Sequence, residues 1–223
     1  MANPEISLRS RSGWTTQLWQ TNEPILQNAT KKVKTGLEYL GIIYQEAKTA
    51  SVDYFSTTKG LEADGIAHDA GNFTLNAVID PRDKPRIVWR SAAWSRTILH
   101  ETVHCARMEK VPGNDFLEVV ATEGLAHLAE HLYVQKFCAK QLVSRFYICD
   151  LQVDPVLEEG FRVAISQPPS LDDDSWSWWF DNQESLGSPR GALYGAQCVK
   201  SQLNKGYTIS DLLMQPAGDV LGL

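Results

Sequence analysis

Apolar residues first recur at helical spacing between Pro24 and Ala50, where Ile25, Val33, Leu37, Leu40 and Ile43 or Tyr44 share one side; this predicts an amphipathic helix following a polar leader. Two stretches then change to strand character. Ser51 to Thr57 is rich in β-branched and aromatic residues, and Phe73 to Asp80 alternates Phe73, Leu75, Ala77 and Ile79 with other positions. The glycine-bearing segment between them, GLEADGIAHDAG, reads as a loop. The PRDKP run at 81–85 closes the second strand, and Ile87 to Trp89 reads as a short third one.

From about Ala92 the pattern is helical. One helix is expected from Ala92 to Glu109 and a second from Asp115 to about Lys140, with Pro112 and Gly113 breaking the first and Asn114 or Asp115 capping the second. A third is expected from Pro155 to Ile165. The acidic, tryptophan-rich LDDDSWSWWFDNQES segment fits a turn or short helix, whose Trp176, Trp178 and Trp179 read as anchors packed on the domain or as the rim of a pocket. Ser188 reads as an N-cap and Pro189 as the first residue of a helix reaching Asn204, with a last short helix from Ser210. Strands first and helices after give an α+β class.

A length of 223 residues suits one domain, 1–223: a helix and small sheet over about 24–90, a helix pair over about 91–140, and a helical C-terminal part over about 155–221. The net charge of −6 argues against nucleic acid, because phosphate binding rests on clustered Lys and Arg. Lys31, Lys32 and Lys34 read as the wet side of the first helix. The N-terminus lacks the apolar core of a secretory signal and no run is long enough to span a bilayer, so a cytoplasmic protein with no membrane partner is expected. Cys105, Cys138, Cys149 and Cys198 form no CxxC pair and fit reduced, buried thiols.

The chemistry concentrates in TILHETVHCARM, residues 97–108. His100 and His104, four apart on a helix, project from one side and can converge on a metal ion. Glu101 lies about 100° further round, close to the ligands without joining them, and can take a proton from a metal-activated water. A random chain of this composition would carry such a pattern about once in a hundred times. A plain helix with two exposed histidines is the alternative, and it predicts Glu123 far from His100.

On the second helix Leu117, Ala121, Leu125, Leu128 and Leu132 lie opposite Glu123, while Phe116, Val119, Val120, Ala126, His127 and Glu130 lie on its own side, so the helix is expected to be covered all round. A carboxylate on a covered face needs a partner. That partner is a metal held by the first helix or an arginine such as Arg107. Glu118 points elsewhere and is the weaker ligand candidate, and Gly124 leaves room for another backbone.

HETVH followed nineteen residues later by Glu123-Gly-Leu-Ala126 resembles the HExxH…EGLA core of a family of predicted zinc-dependent proteases known as a domain of unknown function and related to the gluzincin metallopeptidases. FTLNAVIDP resembles the strand ahead of that family's zinc helix, and GALYGAQCVKSQLNKGYTISDLLMQPAGDVL its C-terminal helix pair, so about Asp64 to Leu221 is covered. The resemblance implies a zincin-like fold, one zinc ion held by His100, His104 and Glu123, Glu101 as general base, and a peptide or protein substrate. A catalytically inactive, zincin-like binding module is the alternative. Better-known gluzincins carry an aspartate four residues after the ligand glutamate, where this chain has His127. The family's GY pair is also displaced, leaving Tyr194 as the candidate catalytic tyrosine. Tyr194, His127 and Arg190 are the candidates for stabilising the oxyanion. His68 and His131 read as loop and surface residues, Gly191 and Gly195 as a close helix contact, and Phe73 to Asp80 as an edge for an extended peptide or as an internal strand without that role.

Overall fold

The structure is a computed structural model that describes residues 3–56, 64–79, 87–138, 155–170, 174–180 and 189–223. It is α+β: four strands form one mixed sheet, and helices make up most of the rest. The first strand, β1 (Ile6–Ser10), falls within the expected polar leader and runs parallel to β2 (Lys48–Ser56). Asn3 secures this start. Its amide nitrogen donates to the Ile42 carbonyl at 2.8 Å, and its oxygen accepts from the Tyr44 backbone at 3.1 Å.

Between these strands runs α1 (Thr16–Tyr39), capped by the Thr15 hydroxyl, which accepts from the Leu18 N–H at 3.2 Å. It starts before Pro24 and stops well before Ala50, because Gly41 takes a φ of 71° and the chain turns there. Leu26, Ala29, Val33 and Leu37 are its buried face, while Ile42 and Tyr44 enter the core from beyond its end. Lys31 and Lys32 are exposed.

The sheet order is β1-β2-β4-β3. β4 (Asn72–Ile79) lies parallel to β2, with Val52 opposite Leu75, and antiparallel to β3 (Asp64–Ala67), with Gly65 opposite Leu75. The alternation expected for β4 holds: Phe73, Leu75 and Ala77 are fully buried. Two expectations are corrected. The GLEADGIAHDAG segment contains β3, and β4 is flanked on both sides, so the peptide-accepting edge next to it belongs to β3. Residues 80–86 lie outside the described set, and Ile87 to Trp89 open a helix where a strand was expected.

That helix, α2 (Ile87–Lys110), packs on β3 and β4 with one side and against α1 and α3 (Phe116–Phe137) with others. Asp115 caps α3, its side chain accepting from the Glu118 N–H at 2.9 Å. α3 is covered around its circumference, with Val120, Ala121, Leu125, Ala126, Leu128 and Ala129 all in the core. Each fully buried Leu or Phe here contributes roughly 1.5–3 kcal/mol.

The C-terminal part consists of α4 (Pro155–Ser166), α5 (Asp174–Phe180), α6 (Arg190–Asn204), α7 (Ile209–Leu212) and α8 (Ala217–Leu221). Pro189 is itself the N-cap residue of α6, so the helix begins one place later than expected, and Ser188 is outside the described residues. α7 begins at the Thr208 cap, in a reciprocal capping box with Asp211. α6 lies across α3 at Gly124 and Gly195: a Cβ at Gly124 would stand 2.2 Å from the Gly195 carbonyl carbon, which is the close approach these glycines predict. Trp179 is buried against Phe116 and Phe161, Trp176 packs edge-on to Phe116, and Trp178 is partly exposed beneath Arg190. Among the described residues no helix is long and apolar enough to cross a membrane.

Candidate metal centre

The turn at 111–114 folds α3 back against α2, and a buried ion pair closes the joint. Arg107, with no exposed surface, donates from Nε to Glu118 Oε1 at 2.6 Å and from Nη2 to Glu118 Oε2 at 2.9 Å. Its Nη1 donates to the carbonyls of Leu212, Leu213 and Gln215. Arg107 is therefore committed to Glu118 and the chain around α7, and the expected alternative of an Arg107–Glu123 pair does not occur.

One to two turns along, the two helices bring His100, His104 and Glu123 together. His100 Nε2 lies 3.0 Å from His104 Nε2 and 3.5 Å from Glu123 Oε2, and His104 Nε2 lies 3.6 Å from Glu123 Oε1. The imidazoles stack with centroids 4.6 Å apart, so both ε-nitrogens face one point. One ligand atom from each residue falls within 4.8 Å of the others. The separation of Glu123 from His100 that the plain-helix alternative predicted is not found. Glu123 keeps 24 % of its side chain exposed, more than either histidine.

Glu101 occupies the neighbouring side of α2, which faces the sheet. Its carboxylate is buried against β3 at Gly65, where a Cβ would come within 2.6 Å of Glu101 Cγ and 2.7 Å of Oε1. Cys105, one turn on, faces the same way, with its sulfur 3.7 Å from the Asn72 carbonyl of β4. The helix thus presents its histidines to α3 and Glu101 to the edge strand, as the 100° step between adjacent residues requires.

A second layer lies behind the three convergent side chains. Glu130, two turns beyond Glu123, places Oε2 at 3.5 Å from His100 Nδ1 and 3.6 Å from His127 Nδ1, and its Oε1 forms an ion pair with Arg96, 2.7 Å from Nε. His127 sets its ring edge-on to His100 at 4.9 Å, with Nε2 3.8 Å from Glu123 Oε2. The sequence reading put Glu130 on the right side of α3 and gave it no role. The signal was there: Arg96 precedes His100 by one turn, and Glu130 follows Glu123 at the seven-residue spacing that returns to the same face.

The charges in this cluster are strongly coupled. Burial disfavours protonated His100, but the carboxylates of Glu123 and Glu130 outweigh it and hold its pKa well above the ordinary histidine value. Burial together with the charge of His100 pushes His104 down to about 4, against the pull of Glu123. Burial also lowers His127. Burial would raise both glutamates, yet Glu123 is held far below the usual range by His104 and His100, and Glu130 down to about 2 by Arg96 and His100. The cluster therefore favours a neutral His104 and an ionised Glu123, and the raised pKa of His100 sets its proton in competition with a cation.

Other candidates lie elsewhere. Tyr194 stacks on Phe161 at 4.2 Å and hydrogen-bonds Cys198, and burial raises its pKa beyond the usual phenol value. That ring belongs to the α4–α6 packing, and no contact of Tyr194 with the histidines or Glu123 occurs among the described residues. Arg190 lies 4.3 Å above the Trp178 ring and donates to the Trp178 carbonyl at 3.0 Å. Of the three residues proposed for oxyanion contact, only His127 stands at the centre. His68 is bonded to Thr74, and His131 to Gln135 one turn on, in keeping with loop and surface roles. Cys105 is buried, Cys138 and Cys198 are partly buried, all three are free, and Cys149 lies outside the described residues. Set against known protein families, curated proteins and solved structures, the chain matches none.

Proposed function

We propose that the chain is a zinc-dependent metallopeptidase of zincin-like fold that hydrolyses peptide bonds. The observation that carries this reading is the convergence of His100, His104 and Glu123 on one point, with the buried Glu101, which is not one of the three, next to His100 on the same helix. The donors fit the ion. A tetrahedral zinc with ligands at about 2.0–2.1 Å holds neighbouring donor atoms about 3.3–3.4 Å apart, and the separations here are 3.0, 3.5 and 3.6 Å. Two imidazoles and one carboxylate make a set that leaves a fourth position for solvent, and their resemblance to the HExxH…EGLA core points the same way.

When bound, zinc would lower the pKa of its water toward about 7 and polarise the substrate carbonyl. The remaining work falls to the chain. Glu101 accepts the proton of the attacking water as oxygen bonds to the carbonyl carbon, then delivers it to the amide nitrogen as the C–N bond breaks. Its contact with Gly65 fixes the carboxylate beside β3. Among the described residues β3 ends the sheet, and an extended peptide adding to that edge by main-chain pairing would present its carbonyl on the side of Glu101.

The test is metal-dependent cleavage of a broad peptide library. Wild-type protein with zinc is expected to cleave, His100→Ala to lose both metal and cleavage, and Glu101→Gln to keep the metal while losing at least about a hundredfold in rate. Full zinc occupancy with no cleavage would favour the non-catalytic module.

A further inference from the structure

Two trios of possible ligands share His100: His100, His104 and Glu123 on one side, and His100, His127 and Glu130 on the other. They invite two readings, a pair of cations bridged by one imidazole or a single cation with a supporting layer. We propose the second: Glu130, anchored by Arg96, is a positioning residue that fixes the tautomer and orientation of His100 from behind. The proposal rests on the metal reading above and specifies how the chain prepares its own ligand.

The argument starts from Arg96. Its Nε lies 2.7 Å from Glu130 Oε1, so one carboxylate oxygen is already engaged by a permanent cation. A second divalent ion at the other oxygen would lie within a few ångströms of that guanidinium, inside a protein where such repulsion is poorly screened. The other oxygen, Oε2, faces His100 Nδ1 at 3.5 Å. An imidazole that ligates through Nε2 carries its proton on Nδ1, and Glu130 Oε2 is the carboxylate oxygen on that side, 3.5 Å away. Glu130 is 4 % exposed and Arg96 crosses from α2 to α3, so the carboxylate is held on a rigid helix pair. His127 shares the same oxygen at 3.6 Å, and its Nδ1 is a buried atom with no hydrogen bond of its own in this state. Both separations lie at the edge of hydrogen-bond reach of Glu130. Better-known gluzincins place the orienting carboxylate four residues after the ligand glutamate. This chain has His127 there and takes the carboxylate from one turn further on.

The experiment measures zinc stoichiometry and affinity by competition with a chromogenic chelator, on wild type, Glu130→Gln, Arg96→Gln and His127→Asn, with the melting temperature of each metal-free protein recorded alongside. One zinc per wild-type chain is expected, with affinity about 10–100-fold weaker in Glu130→Gln. Arg96→Gln should weaken binding in the same direction by less, and His127→Asn should keep one zinc. The visible bands of the cobalt-substituted protein should shift in Glu130→Gln, a change that a loss of packing alone would not produce. Arg96 is partly exposed, so Arg96→Gln carries the test if Glu130→Gln fails to fold. Unchanged affinity in the folded variants overturns the proposal and leaves the metal centre standing. Two zinc ions in wild type, falling to one in Glu130→Gln or His127→Asn, overturn it in favour of a bridged pair. A wild-type chain that binds no zinc removes both.

Discussion

His100 is the residue on which the electrostatics turn, because each ring nitrogen faces a carboxylate, Glu123 on one side and Glu130 on the other. In the metal-free chain its folded pKa lies above the unfolded one, so its stabilising contribution is complete below the ordinary value near 6.5 and is lost as pH rises through the raised value. Zinc competes with that same proton. Zinc affinity should therefore increase with pH by about tenfold per unit from neutrality until the raised value is passed, a slope that competition titrations over a pH series would read directly; a flat profile would contradict the assignment of His100. Cys105 gives a second residue-level prediction. Burial raises its thiol to about 12, so it should resist thiol reagents in the folded chain at mildly alkaline pH and react once the chain is unfolded, as mass mapping of labelled peptides would show. At this scale the convergence of His100 and His104 with Glu123 was legible, as was the separate side taken by Glu101, because spacing on a helix fixes direction. Tyr194 was misplaced and Glu130 unassigned, since a resemblance in a loosely matched helix does not carry ring orientation and an acid on a covered face does not name its partner.

At the scale of elements, the α3–α6 crossing depends on Gly124 and Gly195. An added methyl at Gly195 would stand 2.1 Å from the Val120 carbonyl oxygen, a contact that backbone must move to relieve. Gly195→Ala is expected to cost about 1–3 kcal/mol from overpacking, partly offset by roughly 1 kcal/mol of helix propensity. Thermal denaturation should show a fall of several degrees; an unchanged or raised melting point would mean the helices do not meet so closely. The long helices and β4 announced themselves by period, and Pro112 with Gly113 marked the turn. β1 and β3 did not. Five and four residues are too short to display an alternation, and β1 finds its partner only across the whole of α1. Ile87 to Trp89 is apolar and short, the kind of run for which strand and helix cannot be separated by period; its place at the head of α2 follows from the 24-residue helix it joins.

The whole molecule is tied together by Arg107, which links α2, α3 and the chain around α7 through five hydrogen bonds to Glu118, Leu212, Leu213 and Gln215. Arg107→Ala would leave Glu118 buried without its counter-charge and three carbonyls without a donor, at a cost of about 3–5 kcal/mol. Urea denaturation should register that loss, and limited proteolysis should cut first in the C-terminal segment; equal stability and an unaltered digestion pattern would contradict this role. The α+β class was readable from strands followed by helices, whereas the mixed sheet, with β1 parallel to β2 and β3 turned back against β4, depends on long-range pairing that no local pattern encodes. What the fold achieves is to bring His100, His104 and Glu123 from two helices to one place, with Glu101 on the sheet side of α2; on the proposed reading these are the zinc ligands and the base. X-ray absorption at the zinc edge of the loaded protein tests this most directly. Two imidazoles with oxygen ligands from Glu123 and solvent, at about 2.0–2.1 Å, are expected; failure to bind zinc, or a shell dominated by sulfur at about 2.3 Å, would contradict it.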